Sequence, residues 1–243
     1  MNKLEMQRKN NKILYRELFF EADKTFKDQL IKLRENISCS NCSSECKISN
    51  SGTIPFVTAV FQKNCSFRKW QEICIDKIKN EIKHDIQQKI TDIMDYRENF
   101  ECSRCGTCCK LGCSESSYEE LRQKAKNGDE FAKQFTSVFI PYKNMGEAKK
   151  VFSEYVELVE QTLDEDEKIH FYHCPHLTEK NFCTNYDQRP EICRDFPDNP
   201  LSILPDICGF HEWKEEVIVA AMMLHAMTYI YEFYLEKIEQ AYA

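Results

Sequence analysis

Apolar residues recur at three- and four-residue steps between residues 9 and 36, where Leu14, Leu18, Ala22, Phe26, Leu30 and Leu33 define one face of a helix. A second series, Trp70, Cys74, Ile78, Ile82, Ile86, Ile90 and Met94, predicts a long helix capped by Ser66 and running to about Tyr96. Its spacing of four exceeds the 3.6 residues of a helical turn, so the stripe should wind around the helix and need a partner that wraps with it. Shorter amphipathic runs predict helices from Ser117 to Phe135 and from Gly146 to Leu163, separated by a turn at Pro141. A final helix, about Glu212 to Gln240, carries Val217, Ala220, Ala221, Leu224, Met227, Ile230 and Tyr231. They span too broad an arc for a shallow surface stripe, which places this helix centrally in a bundle or, as the alternative, along a homodimer seam.

Between the helices lie segments without that period. Ser38 to Gly52 is a polar loop, Thr53 to Val60 suits an extended stretch, and the acidic run Asp164 to Glu167 reads as a solvated link. From Lys168 to Gly209 only a short strand at Ile169 to Tyr172 breaks the irregularity, and five of the seven prolines fall there. The expected fold is mainly α, a helical bundle with an irregular, metal-organised cysteine-rich lobe. Its expected divisions are a helical region over 1–97 with a cysteine loop, a cysteine-cluster domain over 98–210 with a helical insertion, and a C-terminal helix over 211–243.

Composition narrows the function. The chain has 243 residues, enough to bury a core without covalent staples. A net charge of −7 and the lack of a long basic run argue against nucleic-acid binding. The N-terminus has no apolar core followed by a small-residue cleavage site, so a cytoplasmic location is expected. Thiols stay reduced there, and fourteen cysteines are then not read as a disulfide framework. The uncharged run VIVAAMMLHAMTYIY, Val217 to Tyr231, is shorter than the roughly 20 residues of a membrane span. It is read as a core or partner-facing helix, with His225 a satisfied core residue.

The chemistry concentrates in FECSRCGTCCK, Phe100 to Lys110. A C-x2-C pair is a compact claw for one metal ion, and Cys102, Cys105 and Cys108, each separated by two residues, offer three thiolates from one loop. Such spacing also serves iron–sulfur clusters joined by a remote Cys-Pro, here Cys174-Pro175. Successive side chains tend to diverge, so Cys109 points to a second metal, a multinuclear centre or a spare reactive thiol. Cys183 and Cys193 lie close enough to Cys174 to fold back with it. Arg104, Lys110, Arg189 and Arg194 flank these cysteines and would offset thiolate charge, with Tyr186 beside them.

Cys102-x2-Cys105-x2-Cys108-Cys109, then Cys174-Pro175-x-Leu177, then Cys183-x2-Tyr186-x2-Arg189-Pro190-x2-Cys193-Arg194-x-Phe196-Pro197, resembles the YkgJ-like CxxCxxCC cysteine-cluster family, described as chelating zinc or iron. The resemblance runs from about Phe100 to Pro197. It implies metal binding by Cys102, Cys105, Cys108, Cys109, Cys174, Cys183 and Cys193, and it implies no particular reaction.

Other candidates divide by their setting. Cys74 sits on the apolar stripe and reads as packing. Cys208, before Gly209 at a helix start, reads as structural, and Cys113 is open between ligation and packing. His170, His173 and His176 bracket Cys174 and read as surface residues rather than ligands. Cys39, Cys42 and Cys46 occupy a polar loop that Cys65 would complete as a second metal site, unless these thiols extend the main one. The chain has no phosphate-gripping glycine loop, no nucleophile elbow and no C-x3-C-x2-C radical-initiating spacing, so an enzyme is unsupported. The reading is a metal-binding protein, favouring iron–sulfur, that serves as a redox or metal-dependent accessory factor to a protein or redox partner. Its alternatives are a structural zinc adaptor and a metal-dependent enzyme that modifies a protein or peptide. If the N-terminal loop is its own site, Cys42→Ser should lower metal content while leaving the spectrum of the main centre intact; unchanged content and spectrum would mean the loop binds nothing.

Overall fold

The apolar stripes become helices, and the irregular stretches become the loops and strands between them. The computed structural model describes residues 3–35, 65–163 and 167–243. It is mainly helical, with one small three-stranded sheet among the described residues. The polar loop bearing Cys39, Cys42 and Cys46, the Thr53 to Val60 stretch and residues 164–166 lie outside them.

In chain order the elements are α1 (Lys3–Glu35), α2 (Ser66–Lys77), a π-helical turn (Ile78–Ile82) and α3 (Lys83–Arg97), then α4 (Thr107–Lys110), β1 (Gly112–Ser114), α5 (Tyr118–Lys126), α6 (Glu130–Val138) and β2 (Ile140–Pro141). After these come α7 (Met145–Glu160), β3 (His170–His173), a 3-10 turn (Tyr186–Gln188), α8 (Glu191–Arg194) and α9 (His211–Tyr242). Among the described residues the chain divides into two compact units, one built on Tyr96–Val217 and the other on Glu5–Asp95 with Ile218–Ala243.

The second unit is a helical packing unit. Leu18, Ala22, Phe26 and Leu30 of α1 are buried, as the stripe requires, and so are Trp70, Cys74, Ile78, Ile82 and Ile86. Residues four apart drift by about 40° per step on a regular helix. The wider π turn at Ile78–Ile82 takes up part of that drift. The stripe residues from Trp70 to Ile86 are all buried in one core. Ser66 is not the cap: it is the first helical residue, and Cys65 holds the N-cap position without a side-chain hydrogen bond. The Trp70 indole N–H donates to the Leu30 carbonyl at 3.2 Å, and the Phe26 and Tyr234 rings stack at 5.2 Å.

Burial of α9 is one-sided rather than all-round. Ala221, Leu224, Ala226, Ile230, Tyr231, Tyr234 and Ile238 are buried, whereas Ala220 is exposed and Met227 half-buried. Val219, Tyr229 and Phe233 face solvent. His225 is exposed too, contrary to its reading as a core residue, and its Nδ1 stands 2.9 Å from the Tyr15 hydroxyl. By length and composition α9 would suffice to cross a membrane, with mean hydropathy 1.3 over a window that is 33% buried. The seam of buried residues is that of a helix packed against protein.

The first unit holds the sheet, in the order β1-β3-β2 with both pairings antiparallel. Pro141 lies on β2, an edge strand where its missing N–H costs no ladder bond. β3 is buried on both faces. Phe171 joins Leu111, Val156 and Val159, while Tyr172 joins Leu121, Phe135 and Phe139. The run expected as one helix from Ser117 to Phe135 is two. Gly128, at φ +100, breaks it, and Asp129 caps α6 by accepting from the Ala132 N–H at 2.8 Å. Ser117 does cap α5, in a reciprocal box with Glu120. Truncating a fully buried residue of the helical unit should cost about 2–5 kcal/mol. Leu30→Ala or Ile78→Ala should therefore lower the urea midpoint clearly, whereas exposed Ile13→Ala should shift stability by only about 0.5 kcal/mol or less.

Candidate metal centre

The cysteine loop follows α3 and is shaped by two left-handed residues, Arg104 at φ +56 and Gly106 at φ +78. A glycine takes that conformation freely, and at Gly106 a Cβ would also press on Asn181 Oδ1 at 2.8 Å. Gly106 then opens the single turn of α4, closed by the Lys110 N–H to the Gly106 carbonyl at 2.9 Å. The loop so bent carries Cys102, Cys105 and Cys108 along one wall. The Arg104 backbone N–H donates to Cys102 Sγ at 3.4 Å. The Cys108 and Cys109 sulfurs stand 4.0 Å apart, so these neighbours diverge less than their adjacency led one to expect.

The far cysteines arrive by strand pairing. β1 and β3 align Gly112 with Tyr172, and just past β3 the Cys174 N–H donates to the Cys109 carbonyl at 2.7 Å. The chain then doubles back. Leu177 bridges to Cys183, the Thr178 N–H donates to the Phe182 carbonyl at 2.8 Å, and the Thr184 N–H to the His176 carbonyl at 2.8 Å. α8 carries Cys193 and is held to α6 by the Gln134 side chain, which accepts from the Ile192 N–H at 3.0 Å.

Cys208 reaches the same place by a different clamp. The Ser103 hydroxyl donates to the Ile207 carbonyl at 2.8 Å and accepts from the Gly209 N–H at 3.0 Å. A Cβ at position 209 would sit 1.9 Å from the Glu101 carbonyl oxygen, so only glycine allows this approach. Cys208, read from sequence as structural, therefore faces the cysteine loop. Nothing in its local sequence announces this; the signal lies in Ser103, which is 104 positions from the Ile207 carbonyl it holds.

Cys102, Cys105, Cys108, Cys109, Cys113, Cys174, Cys183, Cys193 and Cys208 all line one cavity of about 1050 Å³, and all are free thiols. They wall the cavity rather than converge: among the described residues no three His, Cys, Asp or Glu side chains are gathered tightly enough to hold one ion. Arg104, Tyr186, Arg189 and Arg194 line it too. The Arg189 guanidinium lies 3.6 Å over the Tyr186 ring, and Arg104 lies 5.3 Å from the same ring. Arg194 donates to the Arg189 carbonyl at 3.0 Å. Lys110 sits outside the lining but acts on Cys109 by its charge. His176 lines the cavity, whereas His173 packs against Tyr142 with ring centroids 5.0 Å apart. Cys65 packs against the core of the helical unit, and Cys74 is buried there with its thiol pushed up to about 12 by burial.

The thiols do not ionise alike. A hydrogen bond from Cys208 brings Cys105 down to about 5, while its own partnership with Cys105 pushes Cys208 well up. In the same way Cys109 is lowered by a hydrogen bond from Cys108, with help from Arg189 and Lys110, and Cys108 is raised. Burial raises Cys193 to about 11. Crowded thiols let one member of each pair ionise and hold the proton on the other, unless a cation is present to compensate. The donor set is all sulfur, backed by backbone N–H and basic groups, which suits zinc or iron.

The arrangement is that of a cysteine-lined metal centre. Residues 101–215 match the CxxCxxCC family model, described as "Putative zinc- or iron-chelating domain". The match spans somewhat less than half the chain, includes all nine cavity cysteines and supports metal binding there. No curated protein and no solved structure matches the chain.

In metal-free protein at pH 7, limiting iodoacetamide should modify Cys105 and Cys109 before Cys193 and Cys208, because only the thiolate reacts. Lowering the pH to about 4 should suppress labelling of Cys105, whose low pKa keeps it ionised above about 5. Equal labelling of Cys105 and Cys193 by peptide mass mapping would contradict this order.

Proposed function

We propose that the chain is a cytoplasmic iron–sulfur protein, working as a redox or metal-dependent accessory factor for a protein partner. The observation that carries this reading is the gathering of nine thiols on one cavity. A mononuclear zinc site needs four ligands, and this wall offers more than twice that number. Three of them come from one loop at three-residue steps, with Cys174-Pro175 brought beside it.

Cys102, Cys105 and Cys108 would be near ligands of the group, with further thiols of the wall completing it, and when bound it would supply reversible one-electron transfer. The chain's own residues set the conditions. The Arg104 N–H hydrogen-bonds Cys102 sulfur, and Arg189 and Lys110 offset negative charge at Cys109, which favours a reduced, more negative centre. Phe182, at 52% exposed, and Tyr186, at 42%, stand at the lining of the cavity and offer a redox partner an aromatic contact.

Protein produced under iron-replete, oxygen-free conditions should be brown and carry iron and acid-labile sulfide, with absorbance that bleaches on reduction. Stoichiometric zinc with iron and sulfide near background would overturn the iron–sulfur reading and favour a structural zinc adaptor.

A further inference from the structure

The cavity wall is not one continuous ring of thiols. Two separate devices bring the cysteines in, and each device delivers its own group. The Ser103 clamp ties the 207–209 segment to the loop of Cys102 and Cys105, with Gly209 permitting backbone contact at Glu101. Cys105 and Cys208 hydrogen-bond through their side chains, and Cys102 is near enough to both Cys208 and Cys108 to act on them electrostatically. The strand pairing delivers the rest. Cys174 is bonded through its backbone to Cys109, Cys183 lies across the doubled-back segment, and Cys193 packs with Cys174 on the same core cluster. Cys193 feels Cys109, Cys174 and Cys183, and Cys109 also feels Cys105 across the boundary between the groups. The two groups meet at the adjacent sulfurs of Cys108 and Cys109. Cys113 lines the cavity but belongs to neither.

We propose that Cys208 is a metal ligand, and that with Cys102, Cys105 and Cys108 it forms a four-thiolate centre. Cys109, Cys174, Cys183 and Cys193 form a second one beside it. Four thiolates complete the coordination of one tetrahedral ion or one cubane, so each set is sufficient alone. Binding would require the sulfurs of each set to approach one another from the positions they hold on the wall. Cys108 and Cys109 then serve different centres although neighbours in the chain, which accounts for the doubled cysteine. This inference rests on metal binding by the cavity, and it holds whether iron or zinc is the resident metal.

The test titrates the metal-free full-length protein with Co²⁺, reading sulfur-to-cobalt charge transfer and the ligand-field bands of tetrahedral cobalt. Relative to wild type, Cys208→Ser and Cys193→Ser should each lose one high-affinity equivalent, and the double variant should lose two. Cys113→Ser, on the same wall, should lose none. Cys208→His, which keeps a ligand, should retain the stoichiometry and shift the charge-transfer band as one sulfur is replaced by nitrogen, which keeps the question answerable if Cys208→Ser misfolds. An unchanged equivalent count and spectrum in both Cys208 variants would overturn the assignment of Cys208. Loss of the same single equivalent in Cys208→Ser, Cys193→Ser and the double variant would overturn the two-centre division while leaving metal binding standing. Absence of any cobalt–thiolate band in wild type would overturn the metal reading itself.

Discussion

The pairing of β1 with β3, and the Cys174 N–H to Cys109 carbonyl bond that continues it, is the constraint on which the cysteine lobe depends. It splices together two segments far apart in the chain, and the cavity exists only while they are joined. β3 can hold this position because both of its faces are buried: Phe171 packs with Leu111 and Val156, Tyr172 with Leu121 and Phe135. The helices α5, α6 and α7 between the two segments supply those two small cores. The insertion is thus the support of the centre. Loop closure costs grow slowly with length, so a long insertion that packs on the strand it delivers is a tolerable connection.

Around this anchor the backbone is irregular, and each irregularity aims a sulfur. Arg104 and Gly106 turn the cysteine loop through left-handed conformations, Ser103 pins the 207–209 segment, and Gly209 removes the Cβ that would keep it away. The result is a concentration of thiols that electrostatics resists. Cys105 and Cys109 are lowered chiefly by the hydrogen bonds that Cys208 and Cys108 give them. A cation inside the cavity would remove that conflict, so metal binding and the ordering of this wall are expected to be linked. Among the described residues the helical unit is held by ordinary burial of Leu30, Trp70, Ile78 and Ile238.

What the sequence determined by itself follows from near neighbours. The stripes of α1 and α2–α3, the Ser117 and Glu120 capping box, the packing role of Cys74 and the clustering of Cys102, Cys105 and Cys108 are all set within a few turns of chain. The Gly128 break between α5 and α6 was written locally as well, in Asn127-Gly128-Asp129, but the apolar period running across it hid it. Tertiary structure decided the rest. The π turn lets a four-residue stripe meet one core, one-sided packing leaves His225 and Ala220 in solvent, and the Ser103 clamp turns Cys208 from a residue at a helix start into part of the cavity wall. Those outcomes depend on which distant segments come into contact, and residue spacing along the chain carries no record of a hydrogen bond that spans 104 positions.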